Sequence, residues 1–202
     1  MQPSRLETIM TRIHALQQEL EQAFDSLIEE KQKEFFYSLR KGRVVFHKGI
    51  HELHRKYRTG ILPYIIKAKP VHVLTAPVIY SVIFPLLLLD LFVTFYQQIC
   101  FRLFAIPTVR RSDYIVIDRH RLAYLNVIEK FNCVYCGYGN GLIEYTREVI
   151  SLTEQYWCPI KHAGHISGHH DRAVQFAEYG DAEHYQKKFE QLRKELKIQN
   201  DA

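Results

Sequence analysis

The chain has 202 residues and a mass of 24.0 kDa, is 47% hydrophobic and 13% aromatic, and has few glycines and prolines. That composition excludes a disordered or collagen-like chain and leaves room for a domain with its own core. The net charge of +5 is moderate, so the placement of the charges carries more information than their sum. Four cysteines are too sparse for a disulfide scaffold, and three of them cluster with a histidine, which points to a reducing compartment for that part of the chain. The first thirty residues are strongly polar, so no secretory leader is expected.

Residues 1–39 read as one long amphipathic helix. Leu6, Ile9, Ile13, Leu16, Leu20, Ala23 and Leu27 recur in steps of three and four, the seam of a coiled coil, and Ser4 with Glu7 forms a capping box. Such a helix can pack within its own chain or self-associate. Residues 181–202 hold a second amphipathic helix with Tyr185, Phe189, Leu192 and Leu196 as its stripe, a natural antiparallel partner for the first.

Residues 40–72 are basic: Arg40, Lys41, Arg43, Lys48, Arg55, Lys56, Arg58, Lys67 and Lys69 face one acid, Glu52. Because this run precedes the most apolar part of the chain, anionic lipid is the expected partner and nucleic acid is not. Tyr57 and Tyr64 suit an interfacial anchoring role.

From Val71 to Phe101 only Asp90 carries a formal charge. The segment 73–107 therefore reads as a membrane segment, one transmembrane span or a re-entrant hairpin, since a bilayer core of about 30 Å takes roughly 20 apolar residues. Pro77 and Pro85 predict a kink or break in it. Asp90 is costly in lipid and is expected to face protein, water or a partner. Basic residues flank both sides, with Arg102, Arg110 and Arg111 downstream. A buried core helix is the alternative reading.

Residues 108–180 read as a Cys/His domain. A β-prone YIVI run, residues 114–117, is followed by a predicted helix over 118–131 with Asp118 as its cap, and then by a second over 141–157. The stretch FNCVYCGYGNG then falls in the turn between two helices, with Gly137 and Gly139 easing it. Cys133, Cys136, Cys158 and His162 make C-x2-C-x21-C-x3-H, a donor set that suits tetrahedral zinc, with iron as the alternative. An antiparallel helix pair would carry Cys158 some 25 Å from the first two cysteines, so closure requires the chain to return. A redox dithiol lacks its usual βαβ context.

Two histidine groups raise a second metal site. His47, His51 and His54 share a face if helical, and His165, His169 and His170 follow His162. Cys100 reads as packed in the apolar segment, and Tyr135, Tyr138, Tyr145 and Tyr156 crowd the CxxC region. No Gly-rich phosphate loop, G-x-S-x-G or H-E-x-x-H is present.

Three resemblances follow from these strings. CVYCGY and WCP are similar to the knuckles of rubredoxin, which would imply iron and electron transfer. H-x3-H and H-x3-HH are similar to the histidine boxes of membrane desaturases and hydroxylases, which would imply a di-iron oxidoreductase acting on a lipid-soluble substrate. CVYCGYGNG with EQYWCPIKHA resembles a signature of bacterial membrane-associated proteins with no assigned activity, over about residues 110–165. It implies the cytoplasmic side of a bacterial inner membrane. The expectation is a mainly α, membrane-associated protein with an inter-helix Cys3His site: a zinc-stabilised scaffold or assembly subunit that binds membrane lipid and forms a homo-oligomer or partner complex through its terminal helices. Whether it is an enzyme stays open.

Overall fold

The computed structural model describes residues 5–40, 43–47 and 49–201, and is mainly helical. The helices are α1 (Arg5–Glu34), α2 (Ile50–Lys56), α3 (Ile61–Lys67), α4 (Pro70–Ser81), α5 (Ile83–Tyr96), α6 (Arg102–Phe104), α7 (Val127–Trp157) and α8 (Tyr185–Asp201). Two strands, β1 (Tyr37–Arg40) and β2 (Arg43–Phe46), pair antiparallel with Tyr37 opposite Phe46 and Ser38 opposite Val45. The chain divides into two compact units, residues 1–59 with 121–126, and 60–120 with 127–202.

In the first unit α1 stops at Glu34, short of the expected Leu39, and Phe36 takes a left-handed φ of 55° before the hairpin. Ile13, Leu16, Leu20, Phe24 and Leu27 are all exposed along α1. Ser4 and the side chains of Leu6 and Ile9 lie outside the described residues.

In the second unit, α4, α5, a π turn (Gln97–Phe101) and α6 form one rod from Pro70 to Phe104, 35 residues long. At 1.5 Å per residue it is about 52 Å long. Among the described residues it is the one helix long and apolar enough to cross a membrane. Its break falls at Val82. Pro85 explains this: it has no N–H for the carbonyl of Ser81, and its ring crowds that carbonyl. Pro77 sits inside α4 without ending it.

α7 runs beside this rod in the same direction. Tyr80 meets Phe131 and Asn132, Leu86 meets Gly139, Gln97 meets Tyr145, and Phe104 meets Tyr156 and Trp157. Of the chain between them, residues 105–126, the part 105–120 belongs to this unit and travels back along the pair as a strap with a 3-10 turn at Arg111–Asp113. It turns from the rod at Ala105, φ 53°, with the Ile106 N–H on the Phe101 carbonyl at 2.8 Å.

The expected turn at FNCVYCGYGNG is not there. Those residues are helical within α7, because its glycines serve close packing rather than chain reversal. A Cβ at Gly141 would lie 2.6 Å from the Tyr114 carbonyl oxygen and 2.8 Å from Ile115 Cα, and one at Gly137 would lie 3.2 Å from the Val116 carbonyl oxygen. Gly137 and Gly141 are one turn apart, so together they form the bare track on which the strap lies. Gly139 faces Leu86 of the rod. The YIVI run forms no strand but is part of the strap, and the helix expected from 118 begins at Val127.

Beyond α7 the chain folds back along its last turns. Ile160 pairs with Ala177, and Arg172 bonds to Glu148 and Gln155. α8 then buries Leu192 and Leu196 against α7, where Arg193 stacks over Tyr156 and Phe189 and donates to the Tyr156 carbonyl. The α8 stripe, expected to meet the N-terminal helix, is thus spent on α7.

Gly141→Ala is expected to lower stability by about 1–3 kcal/mol, the usual cost of overpacking, because backbone atoms block the new methyl. Gly139→Ala meets only the end of a leucine side chain and gains helix propensity, so its cost is smaller or reversed. Urea unfolding of both variants checks this; equal midpoints would contradict the strap packing.

Candidate functional site

Two polar side chains of the rod, Gln97 and Asp90, fix the strap. Gln97, 2% exposed, donates from Nε2 to the Val109 carbonyl and to Tyr145 Oη, each at 3.1 Å, while its Oε1 accepts the Val109 N–H at 2.8 Å. The amide imitates a strand neighbour and satisfies a backbone segment that has no sheet to join. About two turns earlier, Asp90 accepts both Arg111 Nε (3.1 Å) and Arg111 Nη2 (2.6 Å), and Tyr138 Oη donates to it at 2.9 Å. Thr94 Oγ1 adds a 3.2 Å bond. This fork geometry is the strong form of a carboxylate–guanidinium contact. Burial, then the bond to Asp90, pushes the Tyr138 phenol up to about 12, so it remains a donor at neutral pH. The lone charge of the apolar run therefore meets protein. Its partners, Arg111 and Tyr138, were missed in the sequence as such, although a single carboxylate in 31 otherwise uncharged residues was a signal that a cation must approach.

The Cys/His residues are distributed differently from expectation. Cys133 and Cys136 sit one turn apart on α7, half-buried and exposed respectively. Cys158 lies just past the helix end, its N–H on the Glu154 carbonyl. From Cys136 it is 22 residues on, about 33 Å of helical rise, whereas one ion reaches donors about 2.0–2.3 Å away. The inter-helix placement of the Cys3His set is accordingly corrected: Cys133 and Cys136 lie within α7, and the rest of that helix separates them from Cys158 and His162. Among the described residues no three His, Cys, Asp or Glu side chains are grouped as a metal site. The rubredoxin-like knuckles are likewise helix at CVYCGY.

The first histidine group belongs to aromatic packing. His51 and His54 lie on α2 with rings edge-on to Phe46 at 5.8 and 5.2 Å, His54 also meets Tyr124 at 5.5 Å, and His47 precedes the helix beside Phe36. The second group lies in the other unit. His162, His165, His169 and His170 line an open recess of about 600 Å³ with Glu154, and His170 Nε2 pairs with Glu154 at 2.8 Å. Arg147 holds this loop through the Gly168 and His169 carbonyls.

A second, larger concavity lies elsewhere in the same unit. A groove of about 820 Å³ runs between α3 and α4 on one side and the start of α7 on the other, lined by Ile65, Val73, Ala76, Ile79, Phe131 and Cys136 among others. Tyr80 donates to Asn132 Oδ1 in its wall, and Tyr135 donates to the Ile79 carbonyl.

Compared with protein-family profiles, characterised proteins and solved structures, the chain has no match.

Arg111→Met should lower unfolding stability by about 1.5–3 kcal/mol, the range for hydrogen bonds to charged groups. Asp90→Leu with Arg111→Met should cost less than the two single changes added, which a double-mutant cycle by urea unfolding measures. Strict additivity would mean that the pair does not hold the strap.

Proposed function

We propose that this chain is a membrane-surface scaffold whose rod, Pro70–Phe104, lies in the bilayer interface with its uncovered face towards the acyl chains. The observation that carries this reading is one continuous exposed apolar stripe. Leu74 (80% exposed), Val78, Phe84 (72%), Leu88, Leu91, Phe95, Ile99 and Leu103 (75%) follow each other at mostly helical spacing along the rod, and nothing among the described residues covers them. A water-exposed surface of that length is rare on a monomeric soluble protein.

The neighbours of the rod decide its orientation. A perpendicular crossing would draw α7 and the strap into hydrocarbon with it, including Arg111, Asp118 and Arg119 on the strap and Glu144, Arg147 and Glu148 on α7. Each charge at the bilayer centre costs at least about 2.5–3.5 kcal/mol. Lying flat, the rod buries its stripe about 5–10 Å deep and leaves those charges in water. The basic run 40–72 supplies attraction to anionic head groups of about 1 kcal/mol per cation near the surface. The exposed stripe of α1 is the face on which a second copy would pack, as in a scaffold. A single-ion Cys3His site is not part of this reading, since a helix length separates its donors.

Co-sedimentation with vesicles containing phosphatidylglycerol tests it. The wild-type chain should sediment with them, less so at high salt, and Phe92→Asp with Phe95→Asp should remain in the supernatant with unchanged helical circular dichroism. Equal sedimentation of the two proteins would refute the reading.

A further inference from the structure

We propose that the groove between α4 and α7 takes one acyl chain of an anionic membrane phospholipid, drawn out of the bilayer on which the rod lies. The inference rests on the membrane reading above but makes a separate claim, because an interfacial helix needs no cavity.

The groove's volume, about 820 Å³, falls within the about 300–1,000 Å³ typical of small-molecule sites. Its walls are aliphatic and aromatic, with Val73, Ala76 and Ile79 from α4 facing Val127, Ile128 and Phe131 from α7. Such walls suit a hydrocarbon chain, which gains about 0.8 kcal/mol for each CH2 it buries. α4 carries the groove on one side and exposed Leu74 and Val78 of the lipid-facing stripe on the other, so the groove lies one helix width from the membrane surface.

Charge selects the head group. Residues 60–89 contain Lys67 and Lys69 and no acid, and the α3–α4 junction where those lysines sit is part of the groove through Ala68 and His72. On the opposite helix Glu129 and Lys130 stand between the lining residues Ile128 and Phe131 and balance each other, so the lysines of the junction set the sign. Asn132, whose Oδ1 accepts from Tyr80, has amide hydrogens of the right chemistry for an ester carbonyl. An anionic, ester-linked amphiphile fits this combination better than a cationic one.

Cys136 lines the groove and Cys158 does not, yet both thiols are exposed, which provides a probe and an internal control in the same chain. The full-length protein is titrated with lauroyl lysophosphatidylglycerol below its micelle concentration, and alkylation of each cysteine by a water-soluble maleimide is followed by peptide mass mapping. At about ten times Kd the Cys136 rate should fall about tenfold, following the unoccupied fraction, while the Cys158 rate stays constant. The choline analogue should need a several-fold higher concentration. Ala76→Trp, with Val73→Phe as a second blocking variant should the first misfold, should abolish protection yet still sediment with vesicles. Unchanged Cys136 labelling, or protection that survives both blocking variants, would overturn the groove assignment. Equal protection by the choline analogue would overturn its anionic selectivity. Protection without vesicle binding would instead remove the membrane reading and leave the groove standing.

Discussion

Two long helices that run side by side in the same direction oblige the chain between them to come back the whole way. In the second unit that return is the strap 105–120, and the remaining structure depends on where it is seated. The strap has no sheet to pair with, so its backbone groups and charges must be met by side chains. Gln97 meets the backbone at Val109, Asp90 meets Arg111, and the bare track at Gly137 and Gly141 admits Tyr114, Ile115 and Val116 to near contact with the helix. With the strap in place, one side of the rod is covered by protein. The other side is left exposed and mostly apolar, with Ser81, Gln98 and Arg102 among the exposed polar residues of the rod.

That asymmetry links fold to function. A rod free on all sides could cross a bilayer; a rod bound along its length to charged companions is better accommodated lying on one. The single acid of the apolar run takes part in the same arrangement. Placed in lipid, Asp90 would be a liability, whereas on the covered face it is the anchor that holds Arg111 and hence the strap. The groove at the α4 end is bounded by the same two helices together with α3.

Much of this organisation was legible in the sequence and some of it was misleading for definite reasons. The amphipathic stretches at both termini and the apolar segment announced themselves by periodicity and by the absence of charge, and Pro85 announced the break near Val82. The glycines of GYGNG favour a turn by local chemistry, but glycine also permits close backbone approach, and here that tertiary demand prevails. The same error displaced the CxxC motif from a turn into the middle of α7 and separated it from WCPIKH. The helix expected from Asp118 failed because the chain is still completing the strap there and turns into α7 only at Val127. The hairpin of YSLR with RVVF was hidden by the basic residues that dominate its composition. The partners of Asp90 could be anticipated as a need but not as Arg111 and Tyr138, since contacts 21 and 48 positions away leave no local trace.

The account turns on the rod lying flat, and depth measurement along it is the direct test. Spin labels placed singly at Phe84, Leu91, Phe95 and Leu103 on vesicle-bound protein report immersion through collision with oxygen and with a water-soluble nickel complex. The account predicts similar, shallow depths for all four positions. A steady change in depth from Phe84 to Leu103, passing through the bilayer centre, would contradict it.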